Sequence, residues 1–230
     1  MSYGRIAVFD VDETLITCKS MFSFLAFAFR QRYGPEGEAR CRAALEGLQA
    51  ARLNLPREEV NRAYYRLFAG WRMEDLRASA SAWFLSLDRK SLFIPETLSR
   101  YETHVEAGDT TVLLTGSAGF IVAPIAQLLG ADVVLAIELA VDPDGITSGE
   151  IAGIQTIGQG KAQALCAYFC LEKPLETVGY GDHESDLAFL ELCDQAFVVT
   201  AADRPTPDWA ARLNRLDFRR TLPVALPVAS

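Results

Sequence analysis

A chain of 230 residues, half of them hydrophobic and 23% charged, has room for one large domain or a core with an insertion, and its composition excludes a disordered chain. Its 22 basic against 30 acidic residues leave a net charge of −8, which lacks the footprint of a general nucleic-acid binder, although a local cluster of cation and backbone N–H groups can still hold one phosphate. The longest apolar stretch, Met21 to Phe29 with Ser23 inside it, falls far short of the ~20 residues that span a bilayer. The opening Met-Ser-Tyr-Gly-Arg carries no charged-then-apolar signal, so the cytoplasm is the expected location.

In chain order, Ile6-Ala7-Val8-Phe9 reads as a short buried strand ending at Asp10. From Thr17 to Ile94 the pattern is helical throughout. Ser20 is the expected N-cap of the first helix and Gly34-Pro35 its stop; Asn54-Leu55-Pro56 and Ala69-Gly70 mark further breaks, and Met73 to Leu87 is another amphipathic run. Buried strands are then expected at Thr111–Thr115, Asp132–Ala136, Glu176–Gly179 and Ala196–Val199, with helices at Gly119–Leu129, Lys161–Leu171 and Ser185–Leu192 between them. Leu139 to Ile151 reads as a hairpin flap turning at Asp142-Pro143-Asp144-Gly145. Arg219 to Ser230 is expected to be a loosely docked tail.

This alternation specifies an α/β fold, a doubly wound parallel sheet with an inserted all-helical domain. Residues 1–16 and 95–230 are the expected core, and residues 17–94 the expected cap over the carboxyl end of the first strand. Five cysteines, Cys18, Cys41, Cys166, Cys170 and Cys193, show no paired metal spacing and are expected to be buried, reduced thiols. His104 is expected on a solvated helix face and His183 in a rim or structural role. Phe22, Phe24, Phe27, Phe29 and Tyr33 are expected in the cap core, with Phe22 and Phe24 close enough to the first motif to touch a substrate. Trp71 and Trp83 read as packing residues.

Four segments fall just after strands or at the start of the next helix: Asp10-Val-Asp12-Glu-Thr14, Thr115-Gly116-Ser117, Gly160-Lys161 and Gly181-Asp182-His-Glu-Ser-Asp186. In a doubly wound sheet they converge on one edge. Four carboxylates gathered there repel one another unless a cation sits among them, and oxygen donors without His or Cys point to Mg²⁺. A lysine and a Gly-flanked hydroxyl turn beside it suit a phosphoryl group, which a free aspartate in line could attack.

These four segments, in this order, resemble the signature of the haloacid dehalogenase superfamily, in its phosphoserine-phosphatase-like branch with a helical cap. The likeness extends through Thr115-Gly-Ser-Ala-Gly-Phe120, Leu128-Leu-Gly-Ala-Asp132 and the flap to Gly160-Lys161. It implies a Rossmann-like core and a Mg²⁺-dependent phosphatase acting on a small phosphorylated metabolite. Asp10 would be the nucleophile. Asp12 would protonate the leaving alcohol and then activate water. The metal would be held by Asp10, the Asp12 carbonyl and Asp182, while Asp186 would orient a metal-bound water or the lysine. Thr115 and the N–H groups of Gly116 and Ser117 would hold phosphoryl oxygens, and Lys161 would neutralise their charge. Where phosphoserine phosphatases carry a glutamate for the substrate ammonium, this chain has Lys19, which disfavours phosphoserine and places Lys19 against a leaving group that is anionic or rich in hydroxyls. Ser185 replaces an asparagine of the fourth motif. Two other readings of the same residues are a phosphotransferase or mutase using the same aspartyl-phosphate, and a non-catalytic phosphometabolite-binding protein.

Overall fold

The computed structural model describes residues 4–172, 174–200, 204–213 and 219–221. Among the described residues seven strands form one sheet: β1 (Arg5–Phe9), β2 (Thr110–Ala118), β3 (Val133–Val141), β4 (Thr147–Ala152), β5 (Glu176–Gly181), β6 (Gln195–Val199) and β7 (Arg219–Thr221), in the order β4-β3-β2-β1-β5-β6-β7. Every pairing is parallel except β3 with β4. The chain winds from β1 outward through β2 and β3, then returns to β5 on the other side of β1. The crevice between the carboxyl ends of β1 and β5 is thus the switch point at which such sheets bind ligands.

The two-residue period of the strands sorts their side chains into two layers. Ala7 and Phe9 of β1 join one buried cluster, and Ile6 and Val8 join the other, with Leu165, Phe189 and Leu190 from the helices behind. Those helices are α8 (Gln159–Glu172) and the single-turn α9 (Leu187–Leu190), with α6 (Pro95–Glu106) and α7 (Gly119–Leu129) elsewhere in the sheet's flanks.

Between β1 and β2 stand α1 (Ser20–Tyr33), α2 (Gly37–Arg52), α3 (Arg57–Arg66), α4 (Met73–Ser86) and the short α5 (Arg89–Leu92). Their aromatic interior is continuous with the sheet layer: Phe24 and Phe68 meet Phe120 of α7 at ring-centroid distances of 5.6 and 6.2 Å. Trp71 and Trp83 are buried packing residues, as expected, and so are Phe24 and Phe29. The insertion is also stitched to the flap. Thr147 N–H donates to Trp71 O, Gly70 N–H to Thr147 O, and Arg66 pairs with Glu150. Gly149, at φ +79°, permits this approach; a Cβ there would lie 2.8 Å from the Arg66 Cα.

Several expectations are corrected. The helix expected at Ser185–Leu192 shrinks to a 3₁₀ turn, Glu184–Asp186, and α9. Ser20 is not an N-cap: α1 starts at Ser20 itself with Lys19 in the cap position, and the Ser20 hydroxyl faces Ser117 instead. Cys166 and Cys170 are exposed, since α8 buries Ala164 and Leu165, and Cys18 is half-buried; no disulfide joins any of the five cysteines among the described residues. His104 is buried, held between Asp109 (2.7 Å) and the Tyr180 hydroxyl (2.9 Å). Of the expected loose tail, Arg219–Thr221 forms β7 alongside β6, and residues 222–230 lie outside the described residues.

Candidate active site

A cleft of roughly 1000 Å³, counted out to its open mouth, lies over the carboxyl ends of β1, β2 and β5. All nine residues expected there line it: Asp10, Asp12, Lys19, Thr115, Gly116, Ser117, Lys161, Asp182 and Asp186. They come from segments up to 176 positions apart, brought together by the strand order.

The loop after β1 turns back on itself. The N–H groups of Leu15 and Ile16 both donate to Val11 O, and Glu13 adopts φ 63°, a left-handed conformation uncommon outside glycine. This turn aims Asp10 into the crevice and sends the Thr14 hydroxyl across to Asp182 Oδ1 at 3.0 Å. Thr14 is buried and ties the first motif to the fourth; its place in the five-residue motif was the signal for a role that the sequence reading left unassigned.

Lys161, the third residue of α8, is buried and bridges two carboxylates: Asp10 Oδ1 at 2.5 Å and Asp186 Oδ1 at 2.6 Å. Burial opposes its charge, yet Asp10 and Asp186 outweigh that and leave its pKa raised. The other oxygen of Asp186 accepts the N–H groups of Asp182 (3.2 Å) and His183 (3.0 Å). Both Asp186 oxygens are therefore occupied, which makes it a bracket for Lys161 and the fourth-motif loop.

Ligand oxygens of Asp10, Asp182 and Asp186 lie within 4.8 Å of one another. Among the described residues no hydrogen bond occupies the second oxygen of Asp10 or of Asp182. Burial pushes the Asp10 carboxyl up to about 7 against the pull of Lys161, and burial with the Asp10 and Asp186 charges raises Asp182 well above its ordinary value. An all-carboxylate pocket with two open oxygens and excess negative charge fits a small hard divalent cation.

Asp12 stands on the other wall. Ser117 Oγ donates to its Oδ2 at 3.1 Å, and Ser20 Oγ lies 2.7 Å from Ser117 Oγ. Because a serine hydroxyl has one proton, Ser20 is the donor in that pair. Burial raises the Asp12 carboxyl above its ordinary value, against the Ser20 and Ser117 contacts that lower it. Ser20, the first residue of α1, thus lies against both the core acid and Ser117, the latter 97 positions away, so no local pattern revealed it.

The second motif is held from below and above. Thr156 Oγ1 donates to Thr115 O at 2.6 Å, while Tyr65 and Asn61 of α3 donate to Gly116 O. The Ser117 N–H is turned onto Thr115 Oγ1 at 3.0 Å, so of the two expected N–H donors this one is engaged within the motif. Lys19 lines the mouth but is paired with Glu13 at 3.0 Å. Phe22 also lines the cleft, whereas Phe24 is buried in the aromatic interior and does not. His183 holds a rim position, with Arg57 Nη1 2.8 Å from its Nδ1. Arg57 and Arg52 on the mouth carried no sequence signal.

Residues 7–191 match the family model described as haloacid dehalogenase-like hydrolase. A Mycobacterium tuberculosis protein named as a probable phosphatase is 30% identical over 202 residues, 84% of this chain and 68% of its own. Among solved structures, a Bordetella pertussis protein of unknown function superposes with TM-score 0.80 at 23% identity, covering 94% of this chain and 98% of that one. A phosphoserine phosphatase carrying a phospho-aspartyl intermediate analogue superposes with TM-score 0.60 at 18% identity, covering 86% and 87%. With the fold, the converging carboxylates and the family match over most of its length, the chain belongs to the haloacid dehalogenase-like hydrolases.

Proposed function

We propose that the chain is a phosphatase that hydrolyses a phosphomonoester through an aspartyl-phosphate on Asp10. The observation that carries this reading is the juxtaposition of Asp10, Asp182 and the Lys161–Asp186 pair in one cleft, with Asp12 and Thr115 on its walls. The names of the tuberculosis relative and of the phosphatase structures support it. Residues 1–16 and 95–230 form the catalytic core in this reading, and residues 17–94 the cap.

Asp10 and Asp182, with the Asp12 carbonyl, would hold Mg²⁺. When bound, it neutralises charge shared between the Asp10 carboxylate and the phosphoryl oxygens, so that the anion and the nucleophile can meet. In the first step an Asp10 oxygen forms a bond to phosphorus as the bond from phosphorus to the alcohol oxygen breaks; Asp12 gives its proton to that oxygen. In the second, water attacks phosphorus, Asp12 takes the water's proton, and the bond to Asp10 breaks, releasing phosphate. One carboxyl serves both steps because the proton moves in opposite directions. Its raised pKa keeps Asp12 closer to the acid form that the first step needs. Thr115 and Lys161 hold the phosphoryl oxygens, and Asp186 keeps Lys161 in place.

Asp10→Asn tests the reading. It should abolish turnover of p-nitrophenyl phosphate while circular dichroism stays that of the wild type. Turnover at the wild-type rate would overturn the assignment of Asp10. Product carrying the phosphoryl group on an added alcohol, in place of free phosphate, would turn the reading to phosphotransfer.

A further inference from the structure

The mouth of the cleft is unlike its floor. Met21, Phe22, Leu48, Val60 and Tyr64 make an apolar wall there, and Phe22 is 43% exposed with its ring edge-on to Tyr64. Such a wall gives an apolar leaving group a surface to pack on. Leu48 and Arg52, one turn apart on α2, carry it outward to the helix end. Arg57 opens α3 on the far side, and both arginines line the cleft. The intervening turn, Leu53-Asn54-Leu55-Pro56, joins these two lining arginines. It projects two leucines into solvent, Leu53 at 83% and Leu55 at 47% exposure.

Charge is arranged on the same rim. The chain carries a net charge of −8, yet Arg52 and Arg57 flank these leucines, while the Lys19 charge on the mouth is met by Glu13. Among the described residues neither arginine has a carboxylate within ion-pair distance; Arg57 rests on the His183 ring. Exposed leucines beside unpaired cations are the chemistry by which a protein edge settles into the boundary of an anionic bilayer. No helix among the described residues is long and apolar enough to cross a membrane, so such contact would be peripheral.

We infer that this chain draws its substrate from an anionic lipid surface, and that the substrate is a phosphomonoester whose alcohol carries an acyl chain. The phosphate descends to Asp10 and Lys161, the chain leaves along Met21, Phe22, Leu48 and Val60, and the turn at residues 53–56 touches the surface. This rests on the phosphatase reading and adds to it the class of alcohol.

The experiment compares oleoyl lysophosphatidate presented in vesicles with soluble glycerol phosphate and p-nitrophenyl phosphate, all with Mg²⁺. The wild type should sediment with vesicles of phosphatidylcholine mixed with phosphatidylglycerol and not with phosphatidylcholine alone. It should turn over the lysolipid with kcat/KM at least tenfold above glycerol phosphate. The double variant Leu53→Asp, Leu55→Asp should lose tenfold or more of lysolipid turnover and its vesicle binding, with p-nitrophenyl phosphate turnover unchanged. Leu85→Asp, at a comparably exposed leucine of α4, should change neither. Equal turnover of lysolipid and glycerol phosphate, or an unaltered double variant, overturns the inference and leaves the phosphatase reading standing. A wild type inert toward all three substrates overturns the phosphatase reading itself.

Discussion

Lys161→Met removes one positive charge from a site that holds three neighbouring carboxylates, and keeps most of the side-chain volume. The ammonium lies 2.5 Å from Asp10 and 2.6 Å from Asp186, almost wholly shielded from water. At an effective dielectric of about 20, a contact of that length is worth about 6 kcal/mol of attraction before the ammonium's desolvation is subtracted. Removing one partner of a buried pair costs about 3–5 kcal/mol, because the other charge is left uncompensated. Without divalent metal and near pH 8, urea unfolding followed by circular dichroism should therefore show a loss of about 3–5 kcal/mol. Near pH 5 the loss should shrink, because the Asp10 carboxyl, already raised to about 7, takes up a proton in place of the missing charge. A loss below about 1 kcal/mol near pH 8 would mean that Lys161 is no more than an exposed ion pair. An equal loss at both pH values would mean that Asp10 is not the charge it compensates.

Other consequences follow from the same geometry. Ser20→Ala removes the donor behind Ser117, which should cost roughly 0.5–1.5 kcal/mol of Asp12 positioning, or about two- to tenfold in kcat/KM. The loss should be larger for an alkyl phosphate than for p-nitrophenyl phosphate, whose leaving group needs little protonation; equal losses would mean that Ser20 acts only on folding. Metal-free stability should fall as pH rises from about 4 to about 7. Asp10, Asp12 and Asp182 have raised pKa values in the folded state, so the folded chain binds more protons than the unfolded chain across that window. Mg²⁺ should oppose this decline and raise Tm more near pH 7.5 than near pH 5, since protons and metal compete for the same oxygens; a Tm unmoved by Mg²⁺ at either pH would contradict the cation site.

What could be read from the sequence was what depends on local pattern and strand order. Short apolar runs such as Ile6–Phe9 and Ala196–Val199 are buried on both sides of the sheet, so their composition alone marked them as parallel strands. Once those strands were ordered, the loop residues after them had to share an edge, which is why Asp10, Thr115, Lys161 and Asp182 were found together. The errors arise where a partner distant in the chain overrides a local preference. Ser20 has the composition of an N-cap, yet Ser117 claims its hydroxyl. His104 lies on a polar helix, but Tyr180, 76 positions later, and Asp109 enclose it. The rim arginines and leucines of residues 52–57 look like ordinary helix-end composition until α2 and α3 are seen to frame the cleft.

The most direct measurement is a rapid acid quench of the enzyme turning over phosphomonoester with Mg²⁺, followed by peptide mass spectrometry. The account predicts a phosphorylated peptide whose modification maps to Asp10, and which accumulates further in Asp12→Asn as its hydrolysis slows. Steady turnover with no covalent phosphate, or with phosphate on any other side chain, would contradict it.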